Sequence, residues 1–292
     1  MNALSLKTEP AIGILDKNLM KDQVYHRRFQ VSPALSRCIE HYWYVSWDFA
    51  AAEKTLAWKS PIQAILTHPS IHISMEQQQL RLYGVQRRVF TRELCGVSQV
   101  VGIKFKPGGF YPYTAYPMHL LTDQQRDLRV LSNPALITAI VRCGKDLAQI
   151  PSASAGITEL ISRLDRQLLH YAPDIDTAVN ADLQRIERLM EIIKSVPATN
   201  VSQLSQQIEL SERQLQRLCR KMIGVTPKWL ITRSRMQWIA EQLAQGREDW
   251  QEYIDRFDYS DQAHFINDFK KHVGKTPRQY LRSCVNTAAA HV

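Results

Sequence analysis

Two short stretches of this chain carry side chains of the types that read nucleic-acid bases. In SERQLQRLCRKMIGVTPKWL (211–230), helical spacing turns Leu215, Leu218 and Cys219 inward and leaves Arg213, Gln214, Gln216, Arg217 and Arg220 outside. Arginine pairs bidentately with guanine, and glutamine with adenine, in the major groove of duplex DNA. In DQAHFINDFKKHVGKTPRQY (261–280), Phe265 and Phe269 take the inward positions and Gln262, His264, Ile266, Asn267 and Lys270 lie nearer solvent. A basic helix face is by itself most often a solvated face. What singles these stretches out is that one repeats the other.

Other chemistries have weaker support. His68 and His72 sit four apart, which on a strand separates them by about 13 Å, and no nearby Glu completes a metal triad. No metal site or cofactor is therefore expected, and ordinary structural histidines are favoured. Tyr42, Trp43, Tyr44 and Trp47 suit a small-molecule cavity or a packed core, with the core favoured; His68 and His72 join them as ligand candidates. KPGGF (106–110) reads as a turn, because no Gly-Lys-Ser/Thr follows it. The five cysteines, Cys38, Cys95, Cys143, Cys219 and Cys284, are scattered and form no CxxC pair, which argues against a disulfide framework or a zinc site. Nothing like G-x-S-x-G or H-E-x-x-H is present, so catalysis has no positive signal and the expectation is a protein that is not an enzyme.

The elements that hold the two basic faces follow from the repeat. At an offset of fifty positions Gly224 matches Gly274, Thr226-Pro227 matches Thr276-Pro277, Leu215 and Cys219 match Phe265 and Phe269, and Arg220-Lys221 matches Lys270-Lys271. The glycines suit left-handed helix ends, and Thr-Pro restarts a helix with Thr as N-cap and Pro in the first turn. Amphipathic segments 201–210 and 250–259 precede the copies. Ser211 and Ser260-Asp261 supply the next caps, and Ser211 with Gln214 fits a capping box. Helix, tight turn, capped helix is the helix-turn-helix plan. It occurs twice, joined by a long helix through 227–243.

The rest of the chain has a different texture. Its 292 residues, 45% hydrophobic and 22% charged, make an ordinary globular composition with room for two domains. No apolar run approaches the ~20 residues that span a bilayer, so no membrane association is expected. The N-terminal stretch shows no secretory pattern, and the cysteine usage suits a reducing, cytoplasmic location. A net charge of +9 permits attraction to nucleic acid without specifying it. Short aromatic and β-branched runs at 39–49, 61–66, 71–75, 79–84 and 97–105 predict strands of a small barrel or sandwich. The first ~20 residues show no period and are expected to trail across the surface. Helical spacing takes over at 133–150 and 155–171, and YAPDID (171–176) reads as a linker.

The motifs L-S-x-R-x-L-x-R (210–217), G-V-T-P-K-W (224–229), D-Q-A-H-F-x-x-D-F-K and G-x-T-P-x-x-Y (261–280) closely resemble the AraC/XylS family of bacterial transcription regulators over residues 183–284. EHYWYVSWD (40–48), HPSIHI (68–73), YGV (83–85) and GIKFKPGGF (102–110) are similar to an uncharacterised N-terminal domain on one branch of that family. The resemblance implies that the second helix of each unit enters one of two adjacent major grooves, about 34 Å apart. Carried over by position, base-facing candidates are Arg213, Gln216 and Arg217 in the first unit, and Gln262, Ala263, Ile266 and Asn267, with His264 close by, in the second. Ser211, Lys228 and Thr276 become phosphate contacts. Glu209 and Asp258 replace the glycine usual in each turn, and Asn267 an arginine usual late in the second reading helix, so the first unit is expected to dominate base readout.

The expectation is an α+β multidomain chain. It comprises a β-rich sensor or dimerisation domain (1–120), a helical bridge and linker (121–180), a DNA-binding domain (181–285) and a tail (286–292). Double-stranded DNA is the expected partner. A small-molecule effector, a second copy of the chain and, for an activator, RNA polymerase are the further partners implied. The alternatives are a metal-dependent cupin-like enzyme with an accessory helical region, and a ligand-free interaction module on a DNA-binding domain.

Overall fold

The computed structural model describes residues 24–50, 53, 62–76, 79–114, 116–247, 249–257 and 259–289. The N-terminal stretch expected to trail across the surface, and Asp258, lie outside them.

Strands β1 (Val24–Phe29), β2 (Ile39–Asp48), β4 (His72–Glu76), β5 (Gln79–Tyr83), β7 (Val97–Phe105) and β8 (Gln125–Arg126) form one antiparallel sheet in the order β1-β2-β7-β4-β5-β8. β3 (Ile62–Ile65) and β6 (Phe90–Glu93) pair as a separate two-stranded ribbon. The strands expected from the sequence are present. β1, β6 and β8 add to them, and β8 extends the sheet beyond residue 120.

Side-chain alternation along β2 decides how the sheet is covered. Tyr42 and Tyr44 enter the main core, together with Phe29, Ile73, Leu82, Val101, Ile103 and Phe105. Trp43 and Trp47 face the other way, into a smaller cluster with Val45, Phe49, Leu94 and Val100. Gly102 stands opposite Trp43 in the register, and a Cβ there would lie 2.0 Å from the indole. The indole therefore crosses the strand only because this position is glycine.

Helices α1 (Pro134–Leu147) and α2 (Gly156–His170) cover the main-core face. Asn133 caps α1 from Ala135 and Leu136 N–H, with Pro134 in the first turn. Two phenols are tied to this layer. Tyr42 Oη donates to Asp165 Oδ1 of α2 at 2.9 Å, an oxygen that also accepts from Ser32 N–H at 3.0 Å. Tyr44 Oη donates to Gln99 Oε1 and accepts from Ala153 N–H.

The remainder is helical: α3 (Thr177–Ser195), α4 (Val201–Gln207), α5 (Glu212–Met222), α6 (Pro227–Ala244), α7 (Trp250–Arg256), α8 (Gln262–Val273) and α9 (Pro277–Ala289). The main core runs on through Leu183, Ile186, Leu204, Leu215, Cys219 and Leu230 to Ile231. From Met236 onward a second core takes over, built on Ile239, Leu243, Tyr253, Phe257, Phe265, Phe269 and Val273. α6 is the element that belongs to both. Among the described residues, no helix is long and apolar enough to cross a membrane.

Candidate nucleic-acid interface

The first unit is α4, a turn and α5. Asn200 starts α4 with a capping box closed by Gln203. The chain leaves α4 through Glu209, whose φ of 58° is a left-handed value that glycine adopts more cheaply. Leu210 N–H donates to Ser205 O at 3.0 Å and closes the turn. Ser211 then caps α5 with Gln214 as its reciprocal partner.

Leu215 and Cys219 are fully buried and Leu218 nearly so, which turns Arg213, Gln214, Gln216, Arg217 and Arg220 to solvent on the opposite side. Among the described residues, the side chains of Arg213, Gln216, Arg217 and Arg220 make no hydrogen bond or ion pair with the protein. They are charged or amide groups held out on a rigid helix. Gln214 differs, since its side chain is engaged in the cap.

Gly224, at φ 103°, ends α5, and Thr226 Oγ1 accepts from Trp229 N–H to begin α6. Lys228 is exposed in the first turn of α6. Arg235, further along α6, donates to the carbonyls of Pro197 and Thr199, at 3.0 and 2.8 Å, and to Phe257 O at 3.4 Å. It binds the end of α3 and the end of α7 to the linking helix. Its inward direction gives it a structural task that its sequence does not announce.

The second unit repeats the plan. Asp249 caps α7 and Asp261 caps α8, accepting from His264 N–H at 2.7 Å, and this bond holds the Asp261 carboxyl below its usual range. Gln262, Ala263, His264 and Asn267 are exposed. His264 leans on the Tyr259 ring and lies 3.8 Å from Asp268. Ile266 is half-buried and packs against the second core, which withdraws it from the outward face expected of it. Gly274, at φ 84°, ends α8, and Thr276 caps α9 with Gln279 as reciprocal partner. A shallow depression of about 470 Å³ lies between the starts of α7 and α8, with Asp249 and Asp261 in its wall.

The aromatic ligand candidates of the N-terminal domain are divided between two clusters, while His68 and His72 both stand beside Lys104. Tyr42 and Tyr44 are consumed in the main core, and Trp43 and Trp47 occupy the opposite face of the sheet. His68 lies on the loop before β4, where Nδ1 meets Ser70 Oγ at 2.8 Å and Nε2 meets Lys104 Nζ at 3.0 Å. Burial, reinforced by the Lys104 cation, pushes the His68 pKa well below its usual value and that of His72, on β4, down to about 3. Among the described residues, no group of three or more His, Cys, Asp or Glu side chains is placed to hold a metal ion. Cys38, Cys143 and Cys219 are buried thiols and Cys95 is exposed. Burial raises the Cys38 pKa to about 11 and that of Cys219 to about 12.

Comparison with known proteins finds matches in two regions of the chain. Residues 204–283 match the profile of a helix-turn-helix domain, and residues 27–127 match a domain of unknown function, DUF6597. No curated protein matches significantly. Among solved structures, the chain is similar to the C-terminal domain of AraT, a response regulator from Geobacillus stearothermophilus. The identity is 25%, covering 34% of this chain and 84% of that one, with a TM-score of 0.31. The C-terminal domain of the two-component response regulator yesN from Fusobacterium nucleatum matches at 25% identity, 34% and 98% coverage and a TM-score of 0.30. ToxT from Vibrio cholerae aligns over 90% of this chain and 96% of its own, at 11% identity and a TM-score of 0.36. Through residues 204–283 the chain is thus similar to helix-turn-helix domains of the AraC type, and a DUF6597 match precedes that region.

Proposed function

We propose that the chain is a sequence-specific transcription regulator that reads two adjacent major grooves, α5 in one and α8 in the next. The observation that supports this most is the exposed set Arg213, Gln216, Arg217 and Arg220, whose side chains have no partner among the described residues, on a helix whose other face is sealed in the core. The helix fixes where these side chains start, and their donor groups are free to meet base edges, each side chain being ordered only on binding. Gln262, Ala263, His264 and Asn267 take the same task in the second unit, with Ile266 at its margin. Ser211, Lys228 and Thr276 hold phosphates from helix starts, where exposed N–H groups favour anions. α6 carries the two readers. The N-terminal domain supplies regulation, through pairing with a second copy or through an effector that shifts the balance between arrangements of the domains.

Selection of bound duplexes from a random pool, with the full chain at ~150 mM salt, tests the reading. Salt is held fixed because phosphate contacts weaken steeply as it rises. The expected result is one motif with two parts about a helical turn apart. Recovery of no motif by protein that is folded would overturn it.

A further inference from the structure

We infer that Thr122 and Val89, both in the N-terminal domain, set the distance and twist between the two base-reading helices. The inference rests on the two-groove reading above and assigns it two positioning residues outside the DNA-binding region.

Within the helical region the two reading helices are seated in different cores. α5 belongs to the main core and α8 to the second core, and α6 is the one helix that runs through both. Inside the helical region the two bodies are also joined by Arg235, which reaches Thr199 O and Phe257 O, and by the ring contact of Trp229 with His272 at 5.7 Å. The N-terminal domain adds further ties, and it does so at matching points. Each reading helix ends on a glycine in the left-handed conformation, and a residue of the N-terminal domain sits against each of these glycines.

At the first, Thr122 Oγ1 donates to Gly224 O at 2.8 Å. A Cβ on Gly224 would stand 2.6 Å from that hydroxyl and 2.8 Å from Met118 O, so the glycine backbone is seated in a notch. At the second, a Cβ on Gly274 would lie 3.2 Å from Cγ1 and 3.3 Å from Cγ2 of Val89. Between them, Arg233 Nε of α6 donates to Thr67 O at 2.9 Å, and Leu66 packs on the second core. Thr67, Val89 and Thr122 all lie on connections of the β-rich domain, Thr122 before β8 of the six-stranded sheet and Val89 before β6 of the two-stranded ribbon. The brace leaves the reading faces open, since Arg213, Gln216, Arg217, Gln262 and Asn267 remain exposed.

The consequence is specificity for spacing. Each base pair inserted between two half-motifs moves the second by about 3.4 Å and rotates it by about a tenth of a turn. A hinged pair of readers accepts several spacers, and a braced pair accepts one.

The test uses the full chain and a duplex library in which the two half-motifs recovered by the wild type are separated by variable spacers. Thr122→Val keeps the shape and removes the donor, Thr122→Ser keeps the hydroxyl, and Val89→Ala withdraws the contact at Gly274. The wild type and Thr122→Ser are expected to select one spacer. Thr122→Val combined with Val89→Ala is expected to bind a single half-motif as the wild type does, while its spacer preference spreads to neighbouring lengths and its affinity for the preferred one falls about tenfold. Thr122→Val alone, which removes almost no volume, shifts in the same direction and serves if the double variant does not fold. An unchanged, single-spacer preference in both variants overturns the assignment while leaving the two-groove reading intact. A wild type that selects only isolated half-motifs, or none, overturns both.

Discussion

Gln214 is tied back onto Ser211. Its Oε1 accepts from Ser211 N–H at 2.9 Å and from the Ser211 hydroxyl at 2.8 Å, while Gln214 N–H donates to Ser211 Oγ at 3.3 Å. A side chain engaged in this way starts the helix that carries the neighbouring readers. Ser211→Ala should cost about 1 kcal/mol of stability, and Gln214→Ala should also lower the melting temperature while leaving the selected DNA motif unchanged. Thermal melts and duplex selection on the two variants check both halves of this expectation.

Arg217 and Lys228 should separate base reading from phosphate holding. Arg217→Ala is expected to cost about 1–3 kcal/mol and to relax one base position. Lys228→Ala should weaken binding evenly across sequences and reduce the slope of log affinity against log salt by about 1. Asn267→Ala should do less than Arg217→Ala, because an amide replaces the arginine usual there. A larger loss of sequence preference in Asn267→Ala would reverse the order of the two units.

Glu209→Gly should stabilise the protein and tighten its grip on DNA. A left-handed backbone costs a non-glycine residue about 1–2 kcal/mol, and the added freedom of glycine in the unfolded chain returns about 0.5–1 kcal/mol of that. The net gain expected is roughly 1 kcal/mol. Removing a carboxylate beside the turn also lessens repulsion from phosphates, an effect that should shrink as salt rises. Melting temperature and binding at two salt concentrations measure the two parts.

Mild acid should destabilise the fold through buried histidines. Burial is the leading cause that lowers His26 and His272 to about 4 and His72 to about 3; nearby cations add to it, Arg28 at His26, Lys104 at His72 and Lys271 at His272, where Asp268 partly opposes them. Their folded values lie below the unfolded value of ~6.5, so the unfolded chain binds more protons between the two. The stability they contribute is present above pH ~6.5 and is lost as pH falls toward 4, at about 1.4 kcal/mol per histidine per unit. Glu40 extends the loss at lower pH. Burial disfavours its charge, yet hydrogen bonds from His41 and Lys104 outweigh this and hold it at about 2. Melting temperature from pH 7 to pH 5 should fall steeply, and less so in His272→Phe.

Much of this was legible in the residues themselves. The repeated Gly-x-Thr-Pro, the caps at Ser211 and Asp261 and the buried pairs Leu215/Cys219 and Phe265/Phe269 are local signals, and each does in the fold what its chemistry dictates. The left-handed turn at Glu209 also follows from sequence, because a position usually held by glycine keeps its backbone geometry when the residue changes. β1 was hidden because VYHRRF is an edge strand whose His and Arg side chains mask its alternation. The run Tyr42–Trp47 concealed its division between two faces, since aromatic character alone does not say which cluster each ring joins. Thr122 and Val89 carry no motif, as their importance comes from tertiary proximity to glycines more than a hundred positions away.

The split between the two cores has a consequence for how the molecule comes apart. Residues that share the main core are locked together, so α5 should open only when the β-rich domain also opens. The second core is smaller and is served by short α7 and by α8 and α9. It forms its own cooperative unit, and its amides should exchange hydrogen faster than those of α5. Hydrogen-exchange rates along the chain should therefore step upward beyond Met236, and a protease acting on the native protein should first release the region from α7 onward. The two readers, alike in plan, would then differ in lifetime, the second opening more often than the first.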